Sequence, residues 1–263
     1  KVIKFIELVM SKQIDLIVNW MRVGFIHGVM NTDNSTICGE SIDYGPCAFM
    51  DQYDHKAVFS SIDLQGRYAY GNQPATIHWN LIRLAESLLP LIDKDEKKSV
   101  EIAQKTIDSF SEIFNEKWQI MMRSKLGITD QSEEDEVLIK DLLTWMQSKK
   151  PDFTNTFCNL MHGNHANDEE FEDNGFVLWK KNWQERVNNY DYLNIMKKTN
   201  PILIPRNYLV EEALAEAETE GKFDKFNELL VVLSKPYEQL DIDEKYSKTP
   251  EIQPKPYKTF CGT

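Results

Sequence analysis

HGVMNTDNSTICGESIDYGPCAFMD, from His27 to Asp51, is the stretch whose reading decides the fold. It gathers a His-Gly pair, an Asp-Asn pair (Asp33, Asn34) and an Asp-Tyr-Gly (Asp43 to Gly45) into one short loop region behind a long apolar segment. Kinase-type phosphoryl and nucleotidyl transfer uses such a set. It needs a carboxylate near the attacking hydroxyl, an amide oxygen on a metal ion, and a second carboxylate bridging metal and phosphate. Mg²⁺ suits it, taking one or two carboxylates and leaving room for phosphate oxygens and water. Asn34 and Asp43 are the expected ligand pair and Asp33 the expected base.

The spacing departs from that of a protein kinase. A catalytic loop runs His-Arg-Asp, four residues, then Asn. With His27 as that His, Asn34 falls on the metal-binding Asn, but Val29 falls where the catalytic Asp belongs. The carboxylate stands instead at Asp33, and Asp43-Tyr44-Gly45 takes the place of Asp-Phe-Gly, with Ile42 expected in a short strand leading into the site. His27 reads as a structural hydrogen-bonding residue of the loop rather than a base. The bland alternative for Asp33 is an Asx turn.

GFIHGVMNTDN (Gly24 to Asn34), IDYGPCAFMD (Ile42 to Asp51), GRYAYGNQP (Gly66 to Pro74), WNLIRLAESLLPLI (Trp79 to Ile92), Asn200-Pro201 and PRNYL (Pro205 to Leu209) together resemble the selenoprotein O family of protein adenylyltransferases. The resemblance implies a kinase-like fold and AMP transfer from ATP to Ser, Thr or Tyr hydroxyls of proteins. It also implies Asp33 as proton acceptor, Asp43 at the nucleotide, and Asn34 and Asp43 on Mg²⁺ or Mn²⁺. The end, FCGT (Phe260 to Thr263), carries the Cys typical of the family's C-terminus. Its usual partner thiol falls on Phe59 here, which leaves Cys47 as a substitute for bridging Cys261.

A kinase-like enzyme also needs a nucleotide lobe with a Gly-rich loop and a Lys–Glu pair. Only the helical-looking Lys1 to Val23 precedes the loop, and no G-x-G-x-x-G occurs. The expectation is a catalytic and metal-binding half whose N-terminal lobe lies elsewhere in the same polypeptide, inactive alone. Two further readings stand beside it. One is a small-molecule phosphotransferase, which Val29 disfavours; the other is a silent kinase-like scaffold.

At 263 residues and 41% hydrophobic, the chain can bury a sizeable core. A net charge of −12 argues against nucleic acid or an anionic membrane as partner. Four scattered Cys do not make a disulfide scaffold, and the apolar start is broken by Lys4, Glu7, Lys12, Asp15 and Arg22, so a bacterial cytoplasm is the expected setting.

Helical periodicity dominates, giving a mainly α chain. The division expected is a kinase-like C-lobe over 1–130, a helical extension over 131–235 and an extended tail over 236–263. Helices are predicted over Val2 to Val23, through Trp79 to Leu89 behind Pro74 and Thr76 with a stop near Pro90, and over Lys97 to Lys125, Asp135 to Ser148, Asp168 to Asn188, Arg206 to Glu220 and Phe223 to Leu233. Cys158, His162 and His165 have a zinc-like spacing without an obvious fourth ligand, and Trp79, Trp118, Trp145, Trp179 and Trp183 read as packing residues.

Overall fold

Helix α1 (Val2–Val23) is the axle of the structure. Ile6, Val9, Met10, Ile14, Ile17, Val18 and Met21 fall at helical spacing and are all buried. Each buried aliphatic side chain contributes roughly 1.5–3 kcal/mol. Gly24 ends the helix in the left-handed conformation, at φ 74°, where a glycine carries no Cβ penalty. Two side chains then satisfy carbonyls of the last turn. The Tyr70 hydroxyl donates to Met21 O at 2.8 Å, and Lys125 Nζ donates to Arg22 O at 2.8 Å. Lys125 lies against the Phe157 ring, and burial holds its pKa well below the ordinary lysine value.

The computed structural model describes residues 1–162, 169–188, 191–238, 244–250 and 257–260. Among them the chain is mainly helical, as its periodicity predicts. Strands β1 (Phe25–Ile26) and β2 (Ala48–Phe49) form a small antiparallel ribbon, with Phe25 opposite Phe49 and Ile26 opposite Ala48. Around it stand α2 (Gln73–Ile92), α3 (Glu96–Asp108), α4 (Phe110–Lys125), α5 (Glu134–Lys149), α6 (Phe153–His162), α7 (Asn174–Val187) and α8 (Tyr192–Thr199). One hydrophobic core runs from Ile6 through to Met196. A second, smaller core joins Leu203, Leu209, Ala213, Leu229, Val232 and Tyr246 around α9 (Asn207–Glu220) and α10 (Asp224–Leu233).

The ribbon is too short to hold itself, and two side-chain amides complete it. Gln73, the first residue of α2, accepts from His27 N at 3.1 Å and donates to Phe25 O at 3.1 Å. Asn207, the first residue of α9, accepts from Phe49 N at 3.3 Å and donates to Phe49 O at 2.8 Å. Each amide thus stands in for a neighbouring strand on one edge of the ribbon.

Arg206 ties the same region to the later helices. Its guanidinium contacts Asp51 at 2.7 Å and Asp152 at 2.6 Å, and it is 1% exposed. Burial pushes the Asp51 carboxyl above its ordinary pKa, and the Arg206 charge only partly offsets that.

Several expectations need correction. The helix predicted over Lys97 to Lys125 is two helices, which meet at Ser109. Helix α2 runs two residues beyond Pro90, since a proline in the last turn forfeits only a terminal hydrogen bond. The helix predicted from Asp168 starts at Asn174, with the Asp173 carboxylate accepting from Gly175 N at 3.1 Å. Helices α6 and α8 were not anticipated. No strand forms at Ile42, because Asp43 takes a left-handed φ of 57° and turns the chain there.

Candidate active site

The loop from His27 to Cys47 leaves β1 and returns into β2, so the ribbon fixes both of its ends. His27 is wholly buried at the base. Its Nδ1 accepts from Val29 N at 3.4 Å, which leaves the proton on Nε2 to donate to Ile42 O at 2.7 Å. Burial lowers the His27 pKa from its ordinary 6.5, outweighing the Ile42 and Val29 hydrogen bonds and the Asp43 charge. A neutral imidazole that staples Val29 to the residue before Asp43 is a structural part, in line with the sequence reading. Gly28 beside it has φ 85°, and a Cβ there would sit 2.5 Å from Pro46 O.

Above this base the loop makes a single 3-10 turn, Thr32–Asn34. Asn34 Nδ2 donates to Val29 O at 3.1 Å and to Asp43 Oδ2 at 2.9 Å. The two residues expected to share a cation are therefore in direct contact. With its nitrogen so anchored, Asn34 keeps Oδ1 free of any partner among the described residues. Asp33 is exposed, and its carboxylate accepts no hydrogen bond among the described residues, so its side chain is not spent on an Asx turn.

The turn is braced from α2 and from the segment before it. Asn80 Nδ2 donates to Met30 O at 3.0 Å and to Ser35 Oγ at 2.7 Å. The Tyr68 hydroxyl donates to Asn31 Oδ1 at 2.6 Å. Burial raises the Tyr68 pKa; Arg67 opposes that shift, and Asp63 and Asp33 add to it, which places Asp33 within electrostatic reach of the phenol. Gln73, Asn80 and Tyr68 escaped the sequence reading as site residues. Two of them lie in the GRYAYGNQP motif, whose polar residues just ahead of an apolar helix were the available signal.

The donor set fits a hard divalent cation. It offers the Asn34 amide oxygen and the Asp43 carboxylate, with Asp33 one residue from the amide. Among the described residues no three His, Cys, Asp or Glu side chains gather to hold a metal. Two protein oxygens, with water and phosphate completing the shell, is the usual arrangement for Mg²⁺.

Cys261 and His165 lie outside the described residues. The Cys47 thiol pKa is raised by burial, and that of Cys158 is pushed up to about 12 for the same reason, which disfavours it as a thiolate ligand. The Phe59 and Tyr257 rings lie 5.8 Å apart at a tilt of 58°, and Thr259 pairs with the segment around Phe59. There Thr259 N donates to Phe59 O at 2.8 Å, and Thr259 Oγ1 donates to Pro46 O at 2.7 Å. Trp145, Trp179 and Trp183 are buried as expected, whereas Trp79 is 42% exposed. Among the described residues no helix is long and apolar enough to cross a membrane.

The fold and loop define a mainly helical protein that presents an Asp-Asn-Asp cluster on a rigidly braced loop. A family model described as protein adenylyltransferase SelO matches residues 1–234. The chain belongs to that family. It is 51% identical over 260 residues to the protein nucleotidyltransferase YdiU of Clostridium botulinum (strain Eklund 17B / Type B), covering 97% of this chain and 53% of that protein. The YdiU of Anoxybacillus flavithermus is 50% identical over 264 residues, covering 98% and 54%. That of Alcanivorax borkumensis is 46% identical over 268 residues, covering 100% and 55%. The chain thus spans about half the length of the curated relatives it matches.

Proposed function

We propose that this chain carries the catalytic and metal-binding half of a protein adenylyltransferase, built as a kinase-like C-lobe. It would move AMP from ATP to Ser, Thr or Tyr hydroxyls of acceptor proteins. Residues 1–130 would form the catalytic lobe, 131–235 a helical extension and 236–263 an extended tail, while an N-terminal lobe of the same polypeptide supplies the remaining ATP contacts. The observation that carries the reading is the 2.9 Å contact between Asn34 and Asp43, with the free Asp33 carboxylate next to it.

Asp33 accepts the proton of the acceptor hydroxyl as its oxygen bonds to the α-phosphorus and the bond to the pyrophosphate oxygen breaks. Asn34 and Asp43 would hold Mg²⁺ or Mn²⁺, which would supply positive charge to the phosphate oxygens. Neutral His27 contributes by fixing the loop, and no Lys or Arg lies between Val23 and Gln52 to take over the cation's role.

The test uses the full-length protein, ATP and an acceptor protein, read by intact mass. An adenylyl adduct is expected, with Asp33→Asn slowing its formation by roughly 10²–10⁴-fold. A phosphoryl adduct, or an Asp33→Asn variant as fast as the parent, overturns the reading.

A further inference from the structure

The chain is strongly acidic, yet two arginines stand together beside the loop. Arg67 and Arg83 are both exposed, and their guanidinium carbons lie 5.2 and 5.1 Å from the centre of the Trp79 ring. Arg67 also lies 5.4 Å from the Tyr68 ring. The indole is thus flanked by two planar cations, an arrangement that orients guanidinium groups while leaving their N–H edges available. Arg67 forms no ion pair among the described residues. Arg83 meets Glu86 at 2.8 Å, with both side chains about half exposed, and so exposed a pair exchanges readily for another carboxylate.

Two connections fix this shelf to the candidate site. Tyr68, next to Arg67, donates to Asn31 at the mouth of the Asp33 turn. Trp79 and Arg83 also share a cleft of about 460 Å³ with Thr32, Ser35 and Ile37 of the loop, and Leu84 is part of its apolar wall. A second cleft that Trp79 also lines, about 430 Å³, is bounded by Arg67 and Asn72. An extended chain lying along the shelf would pass Thr32, the neighbour of Asp33.

We propose that the Arg67–Trp79–Arg83 shelf is the docking surface for the acceptor protein and selects an extended segment with an acidic side chain close to the modified hydroxyl. This inference rests on the adenylyltransferase reading and names the acceptor class for the same site. The acidic side chain meets the guanidinium edges, where bidentate carboxylate recognition is available. A neighbouring apolar side chain enters the cleft beside Ile37 and Leu84. Charge complementarity carries the choice, since a chain of net charge −12 otherwise repels an acidic segment, and Arg83 shares its cleft with Thr32 of the turn.

The experiment uses the full-length enzyme with Mg²⁺, ATP and a set of peptides sharing one Ser. The Ser is flanked by Asp or Glu, by Asn or Gln, or by Lys, and adenylylation is read by intact mass. The acidic peptides are expected to show the lowest KM. Arg67→Gln combined with Arg83→Gln should raise that KM about tenfold, leave the KM for ATP where it was, and erase the difference between acidic and amide peptides. Arg67→Glu with Arg83→Glu should shift the preference to the Lys peptides. Equal KM values across the set, or an acidic preference that survives both double variants, would overturn the shelf alone. A rise in the KM for ATP would overturn it too, by assigning the arginines to the nucleotide. Absence of adenylyl label from every peptide and protein acceptor would sink the parent reading and the shelf with it.

Discussion

Replacing Gln73 with Leu tests how the loop is held. The Gln73 amide is wholly buried and satisfies two backbone groups, His27 N and Phe25 O. Phe25 and His27 are themselves buried, so water cannot take over either contact. Each buried backbone group left unpaired costs about 1–3 kcal/mol, giving a total of roughly 2–6 kcal/mol for Gln73→Leu. On the opposite edge Asn207 serves Phe49, which is only half-buried, so solvent relieves part of the loss and Asn207→Leu should cost about 1–2 kcal/mol. The assay is urea unfolding of parent and variants, followed by circular dichroism, with the midpoint moving and the slope unchanged. Adenylyl transfer should fall with the Gln73 change as well, because the His27 end of the loop loosens. A Gln73→Leu protein within about 1 kcal/mol of the parent, or an Asn207→Leu variant the less stable of the two, would refute the picture of amides standing in for strands.

Three further outcomes follow from the same structure. Because burial lowers the His27 pKa, the unfolded chain binds a proton below about pH 6.5 that the folded imidazole refuses. Stability should therefore fall as pH drops from 6.5 toward the folded value, and His27→Gln should flatten that slope in urea titrations; an identical slope would contradict it. Gly28→Ala combines φ 85° with a Cβ 2.5 Å from Pro46 O, so it should cost about 2 kcal/mol or more, and a variant with the parent's melting temperature would be inconsistent with this backbone. Arg206→Met strands Asp51 and Asp152 in a buried setting, an expected loss of about 3–5 kcal/mol. Adding Asp51→Asn and Asp152→Asn should recover part of it, and no recovery would mean that the arginine acts through packing rather than charge.

What the sequence discloses here is mostly local. The spacing of Ile6 to Met21, stopped by Gly24, places α1. The Ser132–Asp135 pair reads as a capped helix start, and the structure has Ser132 N donating to the Asp135 carboxylate at 2.9 Å. The Asn34–Asp43 contact was legible because kinase-type chemistry imposes an order and spacing on those residues. The division at Ser109 was not, since Ser109 keeps helical dihedrals and no Gly or Pro marks the break. Helix α6 did carry a signal, an Asp after Pro151 whose carboxylate accepts from Asn155 N at 2.8 Å, but its ten residues are too short for a clear period. The amide clips lie beyond any local pattern. Gln73 is 46 positions from His27, and Asn207 is 158 from Phe49, so only the folded chain brings them together.

The exposure of Trp79 shows the same limit from the other side. At its position in the amphipathic WNLIRLAESLLPLI run, an indole reads as core. The apolar stripe of α2 instead passes through Ile77, Leu81 and Ala85, which leaves Trp79 on the rim with two arginines over its ring.

The most direct measurement is Mn²⁺ binding by the full-length protein in the presence of a non-hydrolysable ATP analogue, followed by electron paramagnetic resonance. If Asn34 and Asp43 share the cation, Asn34→Ala and Asp43→Ala should each abolish the nucleotide-dependent signal, while Asp33→Ala retains it. A signal in Asp43→Ala equal to the parent's would contradict the account.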